Sequence, residues 1–286
     1  MSGVLADRVS ELRSMETHGG SWMARRAVET LAELAEADAA AAEAMYDRLV
    51  EAAKELAASR PGVAAVAGAS GRLLAAAHGH THLPVDEFRR LVQAEAAGLV
   101  GARDRASRSI AIQLRPRLED AFVLTISASA TVREALLHTP PARVVCLVTA
   151  PHEEGRELAR ELADAGIGVE LVPDADGVAR VADASLILFG ADTVYRDGSL
   201  LNKRGTLPLA EEATRVGVPT IVACEVIKLA PVDAPADLSD ELGSFDLTPA
   251  AHIDEVVTEE GAYHSDGLGE LVARTPFLHA GYALLS

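Results

Sequence analysis

Lysine is nearly missing from this 286-residue chain: only Lys54, Lys203 and Lys228 occur. Arginine supplies the rest of the 26 positive charges against 43 Asp and Glu, and the formal net charge is −17. Such a balance excludes direct, sequence-independent nucleic-acid binding, which works by neutralising backbone phosphates with lysine and arginine. It names no partner by itself. An acidic, lysine-poor composition of halophile type follows from a high-salt environment or from a GC-rich coding sequence. Aromatic residues are scarce too, at 3%, so aliphatic and alanine side chains must fill the core. Cysteine is limited to Cys146 and Cys224, both in apolar runs, where each reads as a small buried hydrophobe rather than half of a disulfide. There is no signal-peptide pattern and no apolar run long enough to span a bilayer, so the expected compartment is the cytoplasm, with no membrane partner.

What is present changes character part-way along. Up to about Ser107 the apolar period is helical: Trp22, Val28, Leu31 and Leu34, then Met45, Leu49, Val50, Ala53 and Leu56, recur at steps of three and four. Glu29, Glu33, Glu36 and Glu43 occupy much of the opposite face, as solvated helix faces do. Ala39 to Ala42 adds helix propensity, and a further helix is expected from Val85 to Val100. From about Ala121 the pattern becomes short β-rich runs, at 121–126, 143–149, 169–172, 186–189 and 220–223, separated by helical stretches at 131–138, 154–165 and 207–216. Alternating strands and helices predict a parallel sheet with helices on both faces. The expected fold is therefore α/β: an N-terminal helical domain, 1–112, followed by a Rossmann-like C-terminal domain, 113–286.

The chemistry concentrates between Ser185 and Pro208. An apolar run, Leu186 to Phe189, is closed by Gly190, and Asp192 follows at once, just past the carboxyl end of a strand, where open α/β sheets keep their ligands. Asp197-Gly198 is a hairpin signal, and Asn202-Lys203 arrives immediately before a helix led in by Gly205 and Thr206. A carboxylate, an amide and an ammonium converge near a helix N-terminus, which favours anions. The implied ligand is small and phosphorylated or polyhydroxylated. Elsewhere, His18-Gly19-Gly20-Ser21 precedes a helix, with Ser21 as N-cap and glycines that let the backbone approach an anion; a plain cap fits equally well. His78-Gly79-His80-Thr81-His82 alternates histidines as a metal-chelating strand would, but no further ligand set accompanies it and a polar loop is expected instead. Gly68-Ala69-Ser70-Gly71 is too short for a dinucleotide fingerprint.

Gly190-Ala191-Asp192, Asp197-Gly198 and Asn202-Lys203-Arg204-Gly205-Thr206, at this spacing, resemble the signature of the initiation factor 2B alpha/beta/delta family. That family also contains methylthioribose-1-phosphate isomerase and ribose-1,5-bisphosphate isomerase. Phe245-Asp246-Leu247-Thr248-Pro249 and Val257 to Gly261 resemble its closing segments, so the motifs run from about His18 to Gly261. The tail from Ala262 matches nothing in the pattern. The resemblance implies a phosphate-binding turn at His18, Gly19, Gly20 and Ser21, a substrate-reaching arginine at Arg60, and ligand contacts from Ser129, Asn202, Lys203 and Lys228. Two of only three lysines then stand at family ligand positions.

Two departures bear on activity. In the isomerase branch a cysteine and an aspartate share proton transfer. Asp192 keeps the aspartate, but the stretch Leu124 to Ser129 stands where those enzymes read Thr-His-Cys-Asn-Ser, so Ser127 replaces the cysteine, Ile126 the histidine and Ala128 the asparagine. A hydroxyl ionises far above a thiol and needs an adjacent base. The family's Glu-x-Arg-Pro is likewise replaced by Val148-Thr149-Ala150-Pro151. The function expected is an initiation factor 2B alpha-type homologue acting in translation initiation, non-catalytic, with no cofactor and no metal. It would hold a sugar phosphate or nucleotide monophosphate in the old isomerase pocket and associate with itself as a homodimer or larger, with the initiation factor 2 alpha subunit as a further candidate partner. The alternative is a divergent aldose–ketose isomerase using Asp192 as acid/base and Ser127 or a water in the thiol's place. An unrelated Rossmann-like binding domain is the third option.

Overall fold

The structure, a computed structural model, describes residues 3–234 and 245–286. Packing divides the chain into two compact units. The first comprises Met1–Asp104, Ile227–Pro231 and Leu271–Ser286, and the second Arg105–Val226 and Val232–Glu270. The first begins with four helices, α1 (Gly3–Ser14), α2 (Gly20–Leu34), α3 (Ala42–Ser59) and α4 (Ala64–His78). The apolar stripes foreseen for α2 and α3 point inward: Met23, Val28, Leu31, Met45, Leu49 and Leu56 are all buried, together with Leu73 and Leu74 of α4. Ala39, Ala40 and Ala41 lie outside α3, with Ala41 as its extended N-cap.

Helix α5 (Val85–Leu118) does not stop at Val100 as expected. Its first turns bury Phe88 and Val92 in the first unit's core, and its last turns bury Ile110, Leu114 and Leu118 against strands of the second. The polar stretch between these apolar stripes hid their continuity. No helix among the described residues is long and apolar enough to cross a membrane.

The second unit continues with β1 (Phe122–Ile126), α6 (Ala130–His138), β2 (Arg143–Leu147), α7 (Glu154–Asp164), β3 (Val169–Val172), the single turn α8 (Gly177–Arg180), β4 (Leu186–Phe189), β5 (Thr193–Tyr195), β6 (Leu200–Lys203), α9 (Thr206–Val216) and β7 (Thr220–Ala223). The chain then visits the first unit with β8 (Leu229–Ala230) and returns with β9 (Phe245–Thr248), β10 (Glu255–Thr258) and β11 (Gly261–His264), and α10 (Leu268–Ala273) starts in the second unit and ends in the first. Last, α11 (Pro276–Leu285) packs on α4, where Gly71 and Gly281 meet so closely that a Cβ on either would lie within 2.7 Å of the other's backbone.

Seven strands form one sheet in the order β11-β10-β7-β4-β1-β2-β3, parallel except for the β10–β11 pair. The central strands β4 and β7 are buried at every position, as strands covered on both faces are. Val123, Val144, Cys146, Leu186, Leu188, Ile221 and Ala223 pack against α5, α6 and α7. The alternate residues face the other way, where Leu147 meets α8 at Gly177 and Ile126 meets Gly205 at the head of α9. A small antiparallel layer, β5–β6–β9, is joined by the expected turn at Asp197-Gly198, with Gly198 at φ +85.

From β1 the chain steps outward through β2 to β3, then returns to place β4 on the other side of β1. The strand order therefore reverses between β1 and β4, and at such a reversal open α/β sheets bind ligands in the crevice outside the carboxyl ends of the strands.

Candidate functional site

At the end of β1, Ser127 is held in the left-handed region, φ +66, and its amide N–H donates to Thr149 Oγ1 at 2.9 Å. Thr149, beyond β2, is left-handed as well, φ +64. Its N–H and that of Ala150 donate to the two carboxylate oxygens of Asp174, each at 2.7 Å. Non-glycine residues in such conformations cost on the order of 1–3 kcal/mol each and persist only where their surroundings over-determine them. Here the over-determination is visible: Asp174 fixes Thr149, and Thr149 fixes Ser127.

Two residues on, Ser129 caps α6, accepting from the Val132 N–H at 3.4 Å. It lies directly against Gly190, the residue closing β4. Asp192 is buried just beyond, at 7% exposure, with its amide bound to the Leu201 carbonyl. Thr131, in the first turn of α6, donates its hydroxyl to Glu225 Oε1 at 3.0 Å. The serines, the glycine turn and the aspartate are thus gathered at the sheet reversal.

Lys203 and Asn202 arrive there already engaged. The ammonium of Lys203 lies 2.7 Å from Glu154 Oε1, in a pair only 16% and 8% exposed. The Asn202 amide donates to Thr206 Oγ1 at 3.0 Å and so braces the entry to α9. The α9 N-terminus, expected to attract an anion, already holds one: Asp246 from β9 accepts the N–H of Gly205 at 2.5 Å and that of Leu207 at 3.4 Å. The helix end expected to favour anions is met by a carboxylate of the chain itself. A protein carboxylate satisfies these amides as a ligand anion would.

Further round the edge, Glu259 accepts the Val226 N–H at 2.9 Å. Burial pushes its carboxyl above the ordinary range, with Glu225 and Glu260 adding repulsion and the backbone donors of Val226 and Glu259 opposing. Both cysteines are buried thiols outside any disulfide. Burial pushes the Cys146 thiol up to about 12, so it supplies no thiolate near neutrality. Cys224, next after β7, donates to the Glu225 carbonyl at 3.3 Å.

His18, Gly19, Gly20, Ser21, Arg60 and Lys228 belong to the first unit. Ser21 is not the N-cap of α2. Gly19 takes that place with extended backbone, α2 starts at Gly20, and Ser21 falls inside its first turn. The His18 ring packs on Trp22, centroids 4.6 Å apart. Arg60 ends α3 and donates to the Arg13 carbonyl at 3.2 Å. Lys228 is buried in the short turn Val226–Lys228. His78 closes α4 and bonds Tyr46 through Nδ1 at 3.1 Å, while His80 and His82 sit in the turns beyond, 6.3 Å apart. Among the described residues no cluster of three or more His, Cys, Asp or Glu is arranged to hold a metal ion.

A family model described as the initiation factor 2 subunit family matches residues 16–243. The chain belongs to that family. Ribose 1,5-bisphosphate isomerase of Haloferax volcanii is 28% identical across 91% of this chain and 88% of its own. The translation initiation factor eIF-2B of Pyrococcus horikoshii OT3 superposes with a TM-score of 0.79 at 25% identity, covering 92% of this chain and 98% of that one. The tetrameric eIF2B-beta2-delta2 complex from C. thermophilum shares the fold, with a TM-score of 0.82 at 20% identity over 94% and 93% of the two chains.

Several residues at the strand ends of this initiation factor 2 subunit family member escaped the sequence reading: Thr149, Glu154, Asp174, Glu225 and Glu259. Each is an ordinary side chain in isolation. Thr149 and Glu259 lie in the Val148 to Pro151 and Val257 to Gly261 stretches, as Asp246 lies in the Phe245 to Pro249 motif, but nothing in those stretches marked these side chains as the ones that hold the strand ends together.

Proposed function

We propose that this initiation factor 2 subunit family member is a non-catalytic, alpha-type subunit acting in translation initiation. It holds a sugar phosphate or nucleotide monophosphate at the reversal between β1 and β4. Ser127 carries the proposal. Its placement at the end of β1, fixed by Thr149, suits ligand contact, but it offers a hydroxyl where aldose–ketose isomerisation needs a group that exchanges protons near neutrality. Its neighbours Ile126 and Ala128 bring no acid or base. Absence of such assistance lowers a rate on the order of a hundred- to ten-thousand-fold. A related tetramer among the solved structures favours self-association as a homodimer or larger, and the initiation factor 2 alpha subunit is the natural further partner. The compartment is the cytoplasm.

Incubation with ribose 1,5-bisphosphate or methylthioribose 1-phosphate, followed by phosphorus NMR, should show no turnover. Ribose 5-phosphate or AMP should raise the melting temperature by mass action.

A divergent isomerase is the alternative. It is favoured by relatives named ribose 1,5-bisphosphate isomerase that match over 88% of their own length, and by the buried Asp192 beyond β4. Cys224 brings a thiol to the carboxyl end of β7, the strand next to β4. Turnover that disappears in Asp192→Asn would replace the binding function with this one.

A further inference from the structure

Lys203 is the lysine at the end of β6, and its charge is already met by Glu154 at 2.7 Å, with both groups largely out of solvent. Glu154 is the first residue of the eleven-residue helix α7, so its carboxylate also sits where that helix end favours negative charge. Two other groups of amides around the strand ends are filled in the same way. Asp246 takes the N–H groups of Gly205 and Leu207, and Asp174 takes those of Thr149 and Ala150. The chain's own carboxylates therefore occupy donors that a ligand anion could otherwise engage. A ligand hydroxyl meets the opposite situation, since a carboxylate is a strong acceptor for it.

We propose that Glu154 is a specificity-determining residue: paired to Lys203, it admits a hydroxyl-rich ligand with one phosphate and turns away a bisphosphate. The inference rests on the crevice being a sugar-phosphate site, and it narrows the ligand to the monophosphate class. The physical means is repulsion of the wrong ligand rather than extra attraction for the right one.

The test is calorimetric titration of the full chain with ribose 5-phosphate and with ribose 1,5-bisphosphate, comparing the unaltered protein with Glu154→Gln. The amide keeps an oxygen for Lys203 and removes the charge. Glu157→Gln, one turn along α7 and exposed, controls for the same change in net charge. The unaltered protein and E157Q should bind the bisphosphate no tighter than the monophosphate. In E154Q the bisphosphate should gain about tenfold or more while the monophosphate changes little, given what like-charge juxtaposition costs at a binding surface. If E154Q leaves the ratio unchanged, or the unaltered protein prefers the bisphosphate, the role of Glu154 is overturned and the crevice still binds sugar phosphates. If neither ligand binds any of the three folded proteins, the crevice itself is not such a site and both proposals fall.

Discussion

Gly190 and Ser129 touch across the sheet reversal with no room for a side chain between them: a Cβ on Gly190 would lie 2.3 Å from Ser129 Oγ and 2.4 Å from Ser129 Cβ. Ser129 cannot swing aside cheaply, because its hydroxyl caps α6. Gly190→Ala should therefore push the head of α6 away from the end of β4 and lose about 1–3 kcal/mol, the usual effect of overpacking. Chemical denaturation measures the loss. Ligand-induced thermal stabilisation should vanish in the same variant, since α6 and the Asp192 turn no longer share one edge. An unchanged denaturation midpoint would show that the contact is slack.

The Lys203–Glu154 pair predicts an asymmetry between single and double substitutions. Lys203→Ala strands a carboxylate that is 8% exposed, and breaking a buried pair from one side costs about 3 kcal/mol or more. Adding Glu154→Gln removes the stranded charge and should recover most of the loss. A double-mutant cycle from urea melts reads the coupling directly. Additive effects would mean that the two groups ignore one another in solution.

How far the sequence could reach is clear from these same residues. The strands β3, β4 and β7 were legible to the residue, because short β-branched and aliphatic runs bounded by turn residues have few other uses. The place of Asp192 just past β4 was legible because the apolar run and Gly190 close that strand, and Lys203 was legible as a residue just before a helix, where it ends β6. The partner of Lys203 was not, since pairing of Glu154 with a residue so distant in sequence is decided by sheet order. The end of α5 was missed for a related reason. Ile110, Leu114 and Leu118 gain their burial from the second unit's sheet, which no window on the helix itself reveals. Gly19, rather than Ser21, stands at the N-cap of α2 although serine is the better capping residue, so capping preference alone did not fix where this helix starts.

Asp246 should behave as an N-cap supplied from another element. Asp246→Ala removes the acceptor for the Gly205 and Leu207 amides, and loss of a cap costs about 1 kcal/mol. Asp246→Asn keeps an oxygen and gives up only the charge, so it should retain most of the stability. Thermal melts of the two variants separate the hydrogen bond from the charge. If both match the unaltered protein, α9 does not depend on this carboxylate.

Glu259 predicts a pH dependence with a definite sign. Burial and the nearby Glu225 and Glu260 raise its carboxyl in the folded chain, outweighing the backbone donors that favour the anion. Between the ordinary carboxyl value and that raised one, the folded state holds a proton that the unfolded chain has released, so stability falls as pH rises. Below the ordinary value both states are protonated and this contribution is intact; above the raised value the loss is complete and levels off. Mutual repulsion among the acids behind the net charge of −17 acts in the same direction, so the informative quantity is a difference. Glu259→Gln, which keeps an acceptor for the Val226 N–H, should match the unaltered protein at the acid end and gain on it progressively as pH climbs past the ordinary carboxyl range. Guanidinium denaturation at matched ionic strength across that range measures the gap. A gap that stays constant with pH would mean that Glu259 titrates alike in the folded and unfolded chains.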